Sequence, residues 1–385
     1  GYPGAAYGLS DEEAQELRWP IGPIKKYLWP NGAILFSIFT LFLIATWPWI
    51  NSYLIPILPD SEWAYDESGI RQLQSEGYFG AGIHICIVDT GIDMEHPDFS
   101  HQELLGFRDF VSGNHEQVRD VGDSSHGTLM AGILISNGTF RGVAPEVGLS
   151  VALALDSDGT SSSTESVAQA IRWCRITQKV DIISLSLGGS PNEAFSSSNS
   201  QTNLAVQEAL DSGIFVVAAA GNTGLELDVN DVSQPSSIEG VISVGAISKS
   251  GNMWGSSAYG SSIDPANGEE RKFPNQKPEV VAPGVNIFST TSSSLSSPYA
   301  YSTGTSDSTV FVSGALAIIL EQFQESIEGS DGIIDASEME LVKTALATSS
   351  DRSNFETDTH DSHSGYGTLD LEKWSDEVSF LFNVN

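Results

Sequence analysis

Four residues of this 385-residue chain have side chains and positions suited to chemistry: Asp89, His126, Asn222 and Ser306. A serine hydroxyl attacks an acyl carbon when a base takes its proton, and imidazole is the base suited to neutral water. A carboxylate can hold that imidazole in the required tautomer, and a side-chain amide can donate to the oxyanion that the attack creates. Taken singly, each residue has a plainer reading. Asp89 in Val88-Asp89-Thr90-Gly91 fits a strand-end turn, and Asn222 in Gly221-Asn222-Thr223-Gly224 fits ordinary turn chemistry. His126 in Ser125-His126-Gly127 and Ser306 in Gly304-Thr305-Ser306 fit the starts of helices. Together they supply an orienter, a base, an oxyanion donor and a nucleophile.

The elements that must position them follow from the apolar pattern. Near-continuous apolar runs at 83–88, 149–154, 180–187, 214–220, 241–244 and 279–281 suit strands covered on both faces. Helix-like segments at 127–135, 166–177 and 203–212 lie between several of them. Strands alternating with helices predict an α/β fold of three layers, with a mostly parallel central sheet and helices on both faces. In such a sheet, functional groups gather at the carboxyl ends of the strands. Asp89 and Asn222 each directly follow a predicted strand. The segment 310–320 is apolar almost all round and predicts a buried helix whose first turn carries Ser306. The free N–H groups and positive dipole end of that helix suit a nucleophile whose attack generates an oxyanion. Ser-rich stretches at 161–163, 196–200 and 290–297 predict solvated loops.

Fifty acidic side chains against seventeen basic ones give a net charge of −33. That balance excludes nucleic acid as a partner, which requires clustered Lys and Arg. It suits a self-repelling surface in water, salt-rich water included. The two cysteines, Cys86 and Cys174, both lie in apolar surroundings and read as buried free thiols, with a disulfide between them also compatible. No metal-type spacing is present.

Ahead of this body lies a different kind of segment. No charge occurs between Lys26 and Asp60, and 33–46 is almost wholly apolar. A helix from Trp29 to Trp47 rises roughly 27 Å, close to the thickness of a bilayer core. Trp29 at one end and Trp47, Trp49 and Tyr53 at the other match interfacial aromatic belts. Pro48, Pro56 and Pro59 are expected to end the helix. Lys25 and Lys26 before the span, with Asp60, Glu62, Asp66 and Glu67 after it, put the N-terminus in the cytoplasm and the rest outside. The expected organisation is a cytoplasmic segment at 1–30, a transmembrane helix at 31–52, a linker at 53–78 with a short charged helix from Ile70 on, and a catalytic domain at 79–385.

With these residues in view, the chain resembles the subtilisin-like serine proteases. The motifs are Ile87-Val88-Asp89-Thr90-Gly91-Ile92-Asp93 with His96-Pro97-Asp98, His126-Gly127-Thr128 with Ala131-Gly132, and Gly142-Val143-Ala144-Pro145. They continue with Ile183-Ser184-Leu185-Ser186-Leu187-Gly188-Gly189, Ala219-Ala220-Gly221-Asn222, Val281-Ala282-Pro283-Gly284, Gly304-Thr305-Ser306 and Gly365-Tyr366-Gly367. The resemblance covers roughly Gly80 to Leu371. It implies a triad of Asp89, His126 and Ser306, with Asn222 and the Ser306 backbone N–H as oxyanion donors. It also implies that Ser186, Leu187 and Gly188 pair with an extended substrate backbone, and that Ala219 and Gly221 help wall the pocket for the residue before the cut.

The chain departs from that family's pattern in several places. Asp307-Ser308-Thr309-Val310 follows the nucleophile where Met-Ala-x-Pro is usual. Leu129 replaces a second His, and Ser184 an Asn. Asp307 is expected to face solvent or cap its helix; turned toward the site instead, it would oppose a developing oxyanion and could favour a protonated imidazole. The linker is too short for the prodomain that many members carry. The loop Ser136-Asn137-Gly138-Thr139-Phe140 stands where relatives often hold calcium but brings no carboxylate, so no metal or other cofactor is expected. Asn137-Gly138-Thr139 matches a glycosylation acceptor. The expected function is a membrane-anchored, extracytoplasmic serine endopeptidase acting on peptides or proteins. The alternative is a weak or inactive subunit of a membrane complex.

Overall fold

The computed structural model describes residues 8, 10, 12–13, 28–54, 60–112, 117–159, 164–187, 200–226, 231–264, 267–293, 295–329, 332–355 and 359–384. The chain divides into two units, Gly1–Leu58 and Pro59–Asn385. In the first, a π-helical turn at Leu28–Gly32 leads into helix α1, Ala33–Leu54. The stretch Pro30–Trp47, from that turn into α1, is long and apolar enough to cross a membrane, and none of it is buried. The helix runs through Pro48 rather than ending there. A proline removes one backbone hydrogen bond, and the residues that follow it, up to Leu54, contain neither glycine nor a second proline to stop the turn.

The second unit is built on a seven-stranded sheet of β1 His84–Asp89, β2 Leu104–Asp109, β3 Gly148–Leu153, β4 Ile182–Leu185, β5 Phe215–Ala219, β6 Ile242–Ile247 and β7 Val280–Pro283. Their order is β2-β3-β1-β4-β5-β6-β7, and every pairing is parallel. Every residue of β4 to β7 is buried, as both faces of the sheet are covered. The helices are α2 Glu62–Glu67, α3 Ile70–Glu76, α4 His126–Ile135, α5 Thr164–Trp173, α6 Gln201–Leu210, α7 Thr305–Glu328, α8 Ala336–Ser349 and α9 Leu371–Leu381. Helix α7 packs on β4, β5, β6 and β7, and α4 packs on α7. Val310 to Leu320 of α7 are all buried, which is why that stretch can be apolar on every side.

All six strands expected from apolar runs are present, as are the three intervening helices. Three strands lacked a signal. Edge strand β2 is half-exposed and carries an irregularity between Leu104 and Gly106. In the antiparallel pair β8 Val285–Thr290 and β9 Tyr299–Thr303, apolar residues are interrupted by Asn, Ser and Thr rather than forming a continuous run. The helix expected from Ile70 is α3, and a further helix, α2, precedes it without a signal; Ala64, Tyr65, Ile70 and Leu73 join the core.

Cys86 and Cys174 are joined by a disulfide, which corrects the reading as free thiols. Both are fully buried, which made them resemble inert core residues, but the fold brings their Cα atoms to 5.9 Å. The bond ties β1, three residues before Asp89, to the chain just after α5. Because the cysteines are 88 residues apart in sequence, the bond restricts a large loop of the unfolded chain. Replacing both by alanine is expected to cost about 2–4 kcal/mol. Thermal unfolding of wild type with and without reductant, beside the double variant, measures this; equal midpoints in all three would refute it.

Candidate active site

Strands β1, β4 and β5 are neighbours, and their carboxyl ends deliver Asp89, Ser186 and Asn222 to one side of the sheet. Asp89 is fully buried. Its Oδ1 accepts from the Thr90 N–H at 2.7 Å and from His126 Nδ1 at 2.7 Å, while its Oδ2 is buried without a partner. His126 comes from the first turn of α4. The approach of that helix to the β1 loop is close enough to require glycine: a Cβ on Gly127 would lie 2.0 Å from the Gly91 carbonyl oxygen. Asp120 fixes the junction. Its Oδ1 accepts from Thr90 Oγ1 at 2.7 Å and the Gly122 N–H at 2.9 Å. Its Oδ2 accepts from the N–H and Oγ1 of Thr128 at 2.8 and 2.6 Å. Thr90 Oγ1 in turn accepts from the Gly127 N–H at 2.9 Å.

Ser306 is the second residue of α7. Its Oγ donates to the Ser186 carbonyl oxygen at 3.2 Å, and the Ser186 hydroxyl donates back to the Ser306 carbonyl oxygen at 3.4 Å. No hydrogen bond joins Ser306 Oγ to the imidazole among the described residues; such bonds often tighten only when substrate binds. Asn222 is exposed, and its Oδ1 accepts from the N–H and Oγ1 of Thr305 at 3.1 and 2.9 Å. That grip turns the amide's Nδ2 toward the start of α7. The Cβ position of Gly304 lies 3.6 Å from Asn222 Nδ2 and 3.7 Å from the Ser306 nitrogen. Two donors therefore border one space that a side chain at residue 304 would fill, and Asp307 Oδ2 borders it too, 3.6 Å from the same point. Such a pair can receive a developing oxyanion.

The other expected substrate contacts are partly placed. Ser186 and Leu187 follow β4 directly, both buried, and Gly188 lies outside the described residues. Ala219 ends β5, and the Gly221 N–H donates to Thr305 Oγ1 at 3.2 Å, so this wall is tied to the nucleophile's helix. Ser184 is buried and accepts from Ser313 Oγ at 2.9 Å. In the 136–140 loop, Asp98 takes the Ser136 hydroxyl and the Thr139 N–H, each at 3.1 Å, and the Tyr299 hydroxyl at 2.9 Å. Among the described residues no three His, Cys, Asp or Glu groups gather as a metal site would require. A cavity of about 250 Å³ between α6 and α8, lined by Gln207, Leu210 and Lys343 among others, contains none of the four candidate residues.

Charge around the imidazole is unusual. Burial pushes the His126 pKa down. The charge and hydrogen bond of Asp89 outweigh this, helped by the charges of Asp307 and Asp120, and raise it to about 9. Asp307 does not face solvent as expected. It is 1% exposed, because the third residue of α7 turns inward under β9, where Oδ2 accepts from Ser302 Oγ at 3.0 Å. Asp120, Thr90, Thr305 and Ser302 were missed in the sequence. Asp120 had one available signal, its place six residues before His126 at the mouth of a Gly-containing loop.

Asp120→Ala would leave Thr90 Oγ1, the Gly122 N–H and both Thr128 donors without their acceptor. The expected cost is about 1–3 kcal/mol of stability. Denaturant unfolding tests it, and an unchanged midpoint would show that the junction holds itself.

Comparison with known proteins adds an independent line. The subtilase family model matches residues 80–367. The chain is 34% identical over 263 residues to the major intracellular serine protease of Bacillus subtilis (strain 168), covering 67% of this chain and 74% of that protein. It is 34% identical over 256 residues to subtilisin DY of Bacillus licheniformis, covering 66% and 81%. Against the serine protease AprX of Bacillus subtilis (strain 168) the identity is 32% over 265 residues, and the aligned part covers 58% of that longer protein. The match takes in every strand of the parallel sheet and all four residues at its carboxyl end, and the chain belongs to the subtilase family.

Proposed function

We propose that this chain is a membrane-anchored, extracytoplasmic serine endopeptidase. The observation that carries the reading is the 2.7 Å contact between His126 Nδ1 and Asp89, which leaves Nε2 as the basic atom. An extended peptide would pair with Ser186, Leu187 and Gly188. His126 Nε2 then takes the Ser306 proton as Oγ attacks the carbonyl carbon. The oxyanion is received by Asn222 Nδ2 and the Ser306 N–H. Collapse breaks the C–N bond, and the imidazole returns the proton to the leaving amine. Water, deprotonated by the same imidazole, hydrolyses the acyl-enzyme and restores the serine.

Three observations support the location. The side chains of α1 from Ile34 to Ile44 are largely exposed and apolar. The charges flanking the span are basic before and acidic after. The disulfide suits an oxidising compartment. Two observations favour the second reading, an inactive subunit. Ser306 Oγ is bonded to Ser186 rather than to the base, and a buried carboxylate adjoins it.

Labelling of isolated membranes with a fluorophosphonate probe separates the two. The enzyme reading expects labelling of the membrane fraction that is abolished in Ser306→Ala and slowed about 10²–10³-fold in Asn222→Ala. Equal labelling of wild type and Ser306→Ala would overturn it. Absence of both labelling and casein cleavage in wild type would favour the inactive subunit.

A further inference from the structure

One motif of the sequence has no part in the proposed reaction. Asn137-Gly138-Thr139 is the single Asn-x-Ser/Thr triplet of the chain. Such a triplet accepts an N-linked glycan when it lies on a surface loop of an exported protein. The structure puts it on such a loop. Asn137 is exposed and lies just past the end of α4, in a reverse turn closed by a bridge between Asn137 and Arg141. The turn is held without the Asn137 side chain. The Asn137 N–H donates to the Asp98 carbonyl oxygen at 3.1 Å, the Gly138 N–H to the Phe140 carbonyl oxygen at 3.1 Å, and the Gly142 N–H to the Ser136 carbonyl oxygen at 2.7 Å. The Asp98 carboxylate takes the Thr139 N–H, and a Cβ on Gly138 would lie 2.3 Å from its Oδ1. The Asn137 amide itself makes no hydrogen bond among the described residues. A group attached at its Nδ2 would therefore displace no contact. His126 stands at the opposite end of α4, a helix of ten residues and about 15 Å, so the attachment point is well apart from the imidazole.

We propose that Asn137 carries an N-linked glycan. The inference rests on the extracytoplasmic placement proposed above and is independent of the protease chemistry. The disulfide, which suits an oxidising compartment, and the charges flanking the span support that placement. The donor is a sugar joined through its anomeric carbon to a lipid-linked phosphate. Asn137 Nδ2 attacks that carbon, the N–C bond forms, and the C–O bond to phosphate breaks. The phosphate leaves with the electron pair, and the amide proton goes to a base of the transferring enzyme. Recognition also reads the hydroxyl two residues on. In the folded chain that hydroxyl, Thr139 Oγ1, lies 2.6 Å from the Tyr299 hydroxyl. Transfer therefore belongs to the exported chain, before β9 closes on the loop.

The test takes the full chain from membranes of its source cells and weighs the tryptic peptide 120–141, in which Asn137 is the single asparagine. The expected spectrum shows that peptide heavier by whole sugar units, with the excess on Asn137. The intact chain is expected to run slower on a denaturing gel than Asn137→Gln made in the same cells, a change that removes no contact from the fold. Thr139→Ser, which keeps the motif, is expected to retain the slower migration. A bare Asn137 in the wild-type peptide overturns the proposal. So does a mass excess that persists in Asn137→Gln, because the sugar then sits on another residue. Protease added to intact cells distinguishes the two ways of failing. A bare chain that is cut from outside confines the failure to the glycan. A bare chain that is protected defeats the extracytoplasmic placement as well.

Discussion

A fully buried carboxylate at the end of a central strand must be paired, and the rest of the site follows from how Asp89 is satisfied. Leaving an ionised group out of water without partners is costly. Here one oxygen takes a backbone N–H and the imidazole of His126, and the other takes nothing among the described residues. The pairing holds only if α4 begins within a hydrogen bond of β1. That accounts for the side-chain-free Gly127, for Asp120 spanning Thr90 and Thr128, and for the burial of the whole helix behind His126. The sheet then does the remaining positioning. Parallel neighbours end on the same side, so Ser186 and Asn222 arrive beside Asp89 without further devices.

Legibility in the sequence tracked burial. Strands with both faces covered are apolar throughout, and each was visible as a run; so was α7, apolar on every side because the sheet and α4 enclose it. Elements held by hydrogen bonds were not visible. The β8–β9 pair anchors α4 through Ser289 Oγ on the Leu129 carbonyl and Thr290 Oγ1 on the Thr128 carbonyl, and strands interrupted by Asn, Ser and Thr look like loops in a one-dimensional pattern. The helix at 62–67 looked like a linker because its apolar residues are few, yet Ala64 and Tyr65 fill the core.

The candidate site divides in the same way. Asp89, His126, Asn222 and Ser306 stood out because side chains of those types rarely fall together at element boundaries. The residues that hold them, Asp120, Thr90 and Thr305, are chemically ordinary and become meaningful only in three dimensions. Asp307 was noticed, with the outward orientation preferred over the inward one that the structure shows. A third residue of a helix can turn inward or outward, and only the packing of β9 and α2 over α7 decides which. The disulfide failed for a related reason, since burial alone does not distinguish a thiol from half of a bond made across 88 residues.

The hydroxyl clamps on α4 have a consequence for how this acidic protein responds to dissolved ions. Mobile ions weaken attraction and repulsion between exposed charges over about 10 Å at 0.1 M, but they act little on neutral contacts sealed from solvent. Adding electrolyte should therefore relax the mutual repulsion of the outer surface and alter how fast charged peptides arrive. The seating of α4 against β8, made of neutral donors on carbonyl oxygens, should stay as it is.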